Sequence, residues 1–186
     1  MASAVPTRAT LDDLYRTTDK AELIGGRIVH FMATGRKPNR VAGRIFRSLD
    51  DYANQHGGGE AFTDNMGYTV AILASGRESF SPDASFHKGP FPPDAMRFIE
   101  GAPTFAVEVR SLMDYGPAAE AEMADKRADY FQAGTLVVWD VDCKAECIHV
   151  YRAPDPDNPV TFRRGEMADA EPAVSSWRVS VDWIFG

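Results

Sequence analysis

Residues 104–111, TFAVEVRS, form the most strand-like apolar run of the chain, and they carry an acid in its middle. Phe105 and Val109 suit a buried strand, because aromatic and β-branched side chains favour strands. Glu108 does not suit it, since an ionised carboxylate inside a dry strand costs free energy unless a partner stabilises it. The stretch therefore predicts a central buried strand whose Glu108 either pairs with a base, such as Arg110, or has a function.

A helix and a second strand follow this run. After Gly116-Pro117 the sequence AAEAEMADKRADYFQAG predicts a helix that ends near Gly134, because proline favours the first helical turn and glycine ends helices. LVVWDVD then predicts another strand. A strand-helix-strand unit over residues 105–141 predicts two parallel strands joined by a right-handed crossover. The fold class expected from this unit is α/β with α+β character, a mixed sheet flanked by helices.

The other segments predict a helix, a hairpin and several short strands. Thr10 with LDDLYRTT predicts a short capped helix. AELIGGRIVHF predicts a hairpin around Gly25-Gly26, and residues 38–56 predict an amphipathic helix ended by Gly57. The remaining predictions are strands at MGYTVAIL, PDASFH and VTFRR, and a turn at APDPDNP.

The 186 residues are expected to form one domain, 1–186, with a full core. The apolar runs are too short to cross a bilayer, and the start MASAVPTRAT lacks the apolar segment of a signal peptide. We therefore expect a soluble cytoplasmic protein with no membrane partner. Only the first nine residues have a composition typical of disorder. Cys143 and Cys147 lack the second pair or the histidine spacing of a zinc site, so ordinary thiols are expected.

The charge is acidic overall and uneven along the chain. A net charge of −7 and a pI of about 5.1 argue against a nucleic-acid partner. Yet residues 24–48 contain no acid, and their basic residues recur at steps of three and four, on one helix face. Such a face is commonly a solvated surface, but a basic face without offsetting acids, expected to lie beside an acidic metal site, also suits a phosphate backbone. The candidate DNA-binding residues are Lys37, Arg40, Arg44 and Arg47.

Three residues far apart in sequence predict a cation site. Asp83 begins the short strand of SPDASF, and Glu108 lies in the apolar strand. Lys126 is three residues from Met123 and four from Tyr130, so it borders the helix face that packs on the sheet. Two carboxylates suit Mg²⁺ or Mn²⁺, which lowers the pKa of bound water. A lysine beside them would orient the attacking water or stabilise negative charge on a phosphoryl oxygen.

At these motifs the chain resembles the Uma2 group of restriction endonucleases, within the PD-(D/E)XK nuclease superfamily. The resemblance covers most of the chain and implies a restriction-endonuclease-like fold and metal-dependent hydrolysis of DNA phosphodiester bonds. The segments that carry it are AELIGGRIV, SPDASF, FAVEVRS, DKRADYFQAGTLVVWDVD and RVSVDWIF.

The resemblance also implies roles for individual residues. Asp83 and Glu108 would be metal ligands, and Lys126 would be the motif lysine, moved from the strand to the following helix. Arg110 holds the position of the usual strand lysine, where it would take over the electrostatic role or pair with Glu108. Glu22 would add a third acid to the metal site or be an ordinary exposed glutamate at a strand edge.

Three functions remain open at this stage. The first is an active Mg²⁺-dependent endonuclease with DNA as its partner and, by analogy with nuclease folds of this size, a homodimeric assembly. The second is a nuclease fold that has lost catalysis and serves as a binding or assembly module. The third is an acidic interaction protein in which Asp83 and Glu108 sit in a buried ion-pair network with Arg110 and Lys126.

Overall fold

A computed structural model describes residues 8–186. Residues 1–7 lie outside the described part of the chain, and with them most of the segment to which the disorder and signal-peptide expectations apply. The helices are α1 (Leu11–Tyr15), α2 (Arg36–His56), α3 (Pro117–Gln132) and α4 (Val181–Phe185). The strands are β1 (Ala21–Ile24), β2 (Arg27–His30), β3 (Glu60–Thr63), β4 (Tyr68–Thr69), β5 (Ser79–Phe80), β6 (Ala84–His87), β7 (Ile99–Glu100), β8 (Phe105–Val109), β9 (Val137–Asp142), β10 (Cys147–Arg152), β11 (Asp155–Phe162), β12 (Met167–Ala170) and β13 (Val174–Ser180).

The main sheet has six strands in the order β11-β10-β9-β8-β6-β3. Strands β8 and β9 are parallel and joined through α3, while the other neighbouring pairs are antiparallel. The predicted strand-helix-strand unit and the mixed α/β class are thus confirmed. Strand β8, which carries Glu108, is an interior strand of this sheet.

The two faces of the sheet are covered by different helices. Because strand side chains alternate between faces, Phe105 and Val107 of β8 point one way and Ala106 points the other. Phe105 and Val107 pack in a large core with Val41, Ile45 and Leu49 of α2, and with α4. Ala106 packs in a smaller core with Tyr130 of α3. Glu108 shares the face of Ala106 and therefore points toward α3.

The capped helix and the glycine hairpin form as expected. Thr10 caps α1, where its hydroxyl accepts from the Asp13 backbone N–H, and Asp13 in turn bonds the Thr10 backbone. Gly25 and Gly26 have φ values of 58° and 71°, so the tight turn between β1 and β2 requires the conformational freedom of glycine. Within residues 8–186, no helix is both long and apolar enough to span a membrane.

Two predicted segments differ in the structure. APDPDNP was expected to be a turn because of its proline and aspartate content; Ala153-Pro154 do turn, but β11 already begins at Asp155 and contains the rest of the segment. Strand β11 is the edge of the sheet, where proline is tolerated because the outward N–H groups need no partner strand. MGYTVAIL was expected to be one strand, but only Tyr68–Thr69 pairs, in a separate three-stranded sheet with β5 and β7.

Candidate functional site

Asp83 directly precedes β6 and lies beside the end of β8, the strand that carries Glu108. Strand β6 pairs with β8 so that Ala84 faces Val107, and this register sets the preceding Asp83 against Glu108. Cross-strand neighbours have Cβ atoms about 4.5–5.5 Å apart, and like charges at that distance repel. The pairing therefore needs positive charge nearby, and two lysines supply it.

Lys20 neutralises Asp83. Its ammonium lies 2.9 Å from Asp83 Oδ1 and 2.5 Å from Asp64 Oδ1. The other oxygen, Asp83 Oδ2, accepts from the Val109 backbone N–H at 2.8 Å. This last bond ties the carboxylate to the end of β8, so Asp83 is fixed in orientation while its side chain remains 24% exposed.

Lys126 and Tyr130 hold Glu108 from helix α3. The Lys126 ammonium lies 2.9 Å from Glu108 Oε1, and the Tyr130 hydroxyl donates to the same oxygen at 2.7 Å. These two residues are one helical turn apart, so both reach the sheet from the same helix face. Among the described residues, Oε2 of Glu108 has no hydrogen-bond partner, and the side chain is 23% exposed.

Glu22 is buried rather than exposed, which overturns the expectation of an ordinary strand-edge glutamate. Its side chain is only 1% exposed. Oε1 lies 3.1 Å from the Lys126 ammonium and accepts from the Ser81 backbone N–H at 3.0 Å, while Oε2 accepts from Arg77. Lys126 therefore bridges Glu22 and Glu108, and Glu22 is connected to the candidate site through that lysine.

Arg77 neutralises a second buried acid as well. Its Nε donates to Asp129 Oδ2 of α3 at 2.8 Å, and its Nη1 donates to Glu22. The guanidinium also lies 5.1 Å from the centre of the Phe80 ring. Arg77 thus joins the β1–β2 hairpin to α3 behind the carboxylates.

These surroundings shift the pKa values of Glu108 and Glu22 in opposite directions. Burial raises the pKa of Glu108, and Asp83 and Glu22 add to this effect while Lys126 opposes it. Burial alone would also raise the pKa of Glu22, but Lys126 and Arg77 outweigh it and hold that pKa below its ordinary value. Glu22 is therefore a fixed counter-ion, whereas Glu108 is the carboxylate whose negative charge the protein compensates least.

The carboxylates suit a hard cation, but they do not form a large ligand cluster. Mg²⁺ is usually bound through one or two carboxylates and retains several waters, which Asp83 and the Oε2 atom of Glu108 could match. Across residues 8–186 there is no group of three or more histidine, cysteine, aspartate or glutamate side chains placed to hold a metal ion. The donor set therefore fits an ion held by two carboxylates and water.

Arg110 is engaged away from Glu108. Its Nε and Nη2 donate to the two oxygens of Asp140 at 2.7 and 2.8 Å, and its Nη1 and Nη2 contact Glu120 at the beginning of α3. Arg127 of α3 adds a further bond to Asp140 at 3.2 Å. The suggested pairing of Arg110 with Glu108 is thus replaced by a network that holds α3 against β9.

The basic face of α2 lies on the opposite side of the sheet from Glu108, because α2 packs against Phe105 and Val107. The expectation that this face adjoins the acidic site is therefore wrong for most of its length. Only the beginning of α2 approaches the same end of the sheet, where Lys37 pairs with Glu146 of the β9–β10 turn at 2.6 Å. This pairing also neutralises Lys37.

Comparisons with known proteins agree with this architecture. A family model described as Uma2, putative restriction endonuclease, matches residues 8–182. The chain belongs to the Uma2 family. A solved structure of a putative nuclease belonging to DUF820, from Anabaena variabilis, has the same fold, with a TM-score of 0.73 and 19% identity over 95% of this chain and 97% of the other. No curated protein matches the chain.

The Uma2 resemblance drawn from sequence is thus confirmed, and three of the residues it singled out lie within one site. Asp83, Glu108 and Lys126 converge, as their positions in a strand, a strand and the following helix predicted. Lys20 and Arg77 were missed, because neither lies on an apolar element whose periodicity fixes its direction. A weak signal was available for Lys20, which directly precedes the AELI strand that carries Glu22.

The buried ion pairs behind the Uma2 site predict a large loss of stability when Arg77 is removed. Arg77→Met leaves Glu22 and Asp129 buried with less compensation, so the free energy of unfolding should fall by about 3–5 kcal/mol. Urea denaturation followed by circular dichroism measures it. The matched control is Arg8→Met, since Arg8 is 52% exposed and its pair with Glu78 should contribute about 1 kcal/mol or less. Equal losses in the two variants would contradict this account.

Proposed function

We propose that this chain is a divalent-metal-dependent endonuclease that hydrolyses DNA phosphodiester bonds, with a PD-(D/E)XK type of active site. The observation that supports the proposal is the opposed pair of Asp83 and Glu108 with the Lys126 ammonium 2.9 Å from Glu108, in a chain of the Uma2 family. Asp83 and Glu108 would hold Mg²⁺ or Mn²⁺. When bound, such an ion lowers the pKa of a coordinated water and stabilises charge on a phosphoryl oxygen.

The protein's own groups would orient the reactants around this centre. Lys126 is a cation with three donors and no acceptor, so it suits stabilising a phosphoryl oxygen or holding a water rather than accepting a proton. Its ammonium is positioned by Glu22 and Glu108 together. We infer that Glu22 acts mainly by positioning Lys126, because both of its oxygens already accept hydrogen bonds.

Arg110 would contribute indirectly. Because its guanidinium bonds Asp140 and Glu120, it fixes the beginning of α3 relative to β8 and β9. Helix α3 carries Lys126, so Arg110 would act as a positioning residue. A homodimer, which would let two sites cut the two strands of a duplex, stays a prediction.

The second function, a nuclease fold without catalysis, is favoured by one observation. Lys20 and Lys126 each pair with one of the two carboxylates, so the chain itself supplies part of the positive charge that a metal ion would supply. The third function, an acidic interaction protein, keeps the expected pair of Glu108 with Lys126, whereas Arg110 pairs with Asp140 and Glu120 rather than with the site carboxylates. Cleavage and metal-binding measurements separate the first two functions.

Substitution of the site carboxylates should abolish cleavage. With Mg²⁺ or Mn²⁺, Asp83→Asn and Glu108→Gln should each lower the rate of plasmid cleavage by about 10²-fold or more, because each removes a ligand. Glu108→Gln should still fold, since Lys126 keeps Glu22 as a partner. Calorimetric titration should show one divalent-ion site in the native protein and none in these variants.

The matched controls are Asp157→Asn on the edge strand β11 and Glu122→Gln on the exposed side of α3. Both make the same chemical change away from the site and should cut at the native rate. If the native protein cuts neither plasmid nor single-stranded DNA, the nuclease proposal is contradicted, and if it also binds neither ion, the acidic interaction protein is favoured over the inactive nuclease fold.

We propose that the DNA backbone binds to the basic face of α2. Residues 8–186 form no ion pairs that involve Arg40, Arg44 or Arg47, so these positive charges are available to phosphates, whereas Lys37 shares Glu146 with Arg164. Each phosphate contact on a duplex should steepen the log–log salt dependence of binding by about 0.9.

Charge reversal on this face should abolish DNA binding. Arg40→Glu with Arg44→Glu replaces attraction by repulsion, so affinity for labelled DNA in about 50 mM salt should be lost. Fluorescence anisotropy measures it. The control is Lys88→Glu with Arg97→Glu, which makes the same change of charge at exposed positions outside α2. Undiminished affinity in the α2 variant would rule out this surface.

A further inference from the structure

A groove between helices α2 and α4 combines uncompensated positive charge with an exposed aromatic ring. It is a surface depression of about 560 Å³, lined by Arg36, Arg40, Arg44 and Arg47 of α2 and by Trp183 of α4. The described ion pairs include none of these four arginines. The groove is therefore a basic concave surface, and the nearest acids of α2, Asp50 and Asp51, lie C-terminal to Arg47.

The Trp183 side chain is partly exposed on the surface and is not part of the buried core. It is 39% exposed, although the helix that carries it is fixed by Val181, Ile184 and Phe185, which are buried in the main core. The Arg44 guanidinium donates to the Ile184 carbonyl oxygen at 3.0 Å, which secures α4 against α2. The ring is thus rigidly placed, and leaving a tryptophan this exposed forgoes part of its favourable burial.

An arginine and a second depression lie next to the Trp183 ring. The Arg47 guanidinium lies 5.1 Å from the centre of the Trp183 ring, within cation–π distance. Trp183 also lines an adjoining depression of about 320 Å³ with Ser48, Asp51 and Arg178. The ring stands between the two depressions, so a chain-like ligand could pass across it, with its anionic groups favoured on the α2 side and disfavoured near Asp51.

We propose that this groove binds an unpaired DNA strand, with a base stacked on Trp183 and phosphates on the α2 arginines. A basic groove with an aromatic platform is the pattern by which proteins hold single strands, whereas a duplex keeps its base faces stacked inside and offers none to Trp183. The proposal rests on the proposed function, because it takes DNA as the ligand and uses the same α2 arginines. It adds to that surface a contact with the bases of an unpaired strand, on the side of the sheet opposite Glu108.

The test is binding of a labelled oligothymidylate of about 12 nucleotides, measured by anisotropy with a metal chelator present, so that no cleavage occurs. Trp183→Ala should weaken binding by about 5- to 150-fold, the loss of one stacked base. Trp183→Phe should retain most of the affinity because it keeps a flat ring. Trp183→Ala should change affinity for a blunt duplex of the same length less than for the single strand. Circular dichroism before and after heating checks that each variant folds.

The proposal is overturned if the native protein does not bind the single strand, if Trp183→Ala binds it unchanged, or if the duplex loses as much affinity as the single strand. Plasmid cleavage by the native protein, measured separately with Mg²⁺, separates this result from the nuclease proposal, and Glu122→Gln on the exposed side of α3 should bind the strand normally. If binding of the single strand depends on Trp183 but the protein does not cut DNA, the nuclease proposal is contradicted and the groove proposal is supported. If the protein cuts DNA but its binding of the single strand does not depend on Trp183, the nuclease proposal is supported and the groove proposal is contradicted.

Discussion

The interaction on which the candidate site depends is the bridge that Lys126 makes between Glu22 and Glu108. One ammonium lies within 3.1 Å of carboxylates from two different strands, and it comes from a helix that follows one of them. Without it, Arg77 would be the cation left beside the buried Glu22, and Glu108 would have no ion-pair partner next to Asp83. The bridge therefore makes an acid tolerable in the most apolar strand of the chain, and it fixes the β1–β2 hairpin and α3 at the same point.

The two faces of the main sheet have different roles: one packs in the large apolar core, and the other carries the candidate site. The face toward α2 and α4 is apolar and contains Trp139 and Trp177, with ring centres 5.2 Å apart. The face toward α3 becomes polar at the end of β8, where Glu108, Asp140 and their basic partners lie. Because the side chains on the apolar face are nonpolar, their burial can supply most of the free energy that stabilises the fold. That stability allows the other face to keep like charges at close range, which is otherwise unfavourable.

The sequence was sufficient for features that depend on local rules. Glycines at Gly25 and Gly26 indicated the hairpin, and Asp83 and Glu108 stood out because acids beside or inside strands need an explanation. Lys126 followed from helical periodicity. Features that depend on tertiary packing could not be predicted from the sequence. The burial of Glu22, for example, depends on Arg77, which lies in an irregular segment far along the chain.

The same limit explains two expectations that hold only in part. The proline-rich segment was expected to be a turn throughout, yet the turn is confined to Ala153-Pro154, and β11 begins at Asp155, which pairs with Arg152 of β10. The basic stripe of α2 was correctly assigned to one side of the helix, but periodicity does not specify which face of the sheet that helix covers. That choice, made by the packing of Val41, Ile45 and Leu49, sets most of the arginines away from Glu108.

The central claim is that Asp83 and Glu108 hold one cation beside Lys126. The most direct measurement is anomalous X-ray scattering from crystals of the protein soaked in Mn²⁺. The account predicts an anomalous peak between the two carboxylates, within about 2.0–2.5 Å of an oxygen from each, and none in Asp83→Asn crystals. A peak elsewhere, or none between carboxylates that stay bound to Lys20 and Lys126, would contradict it.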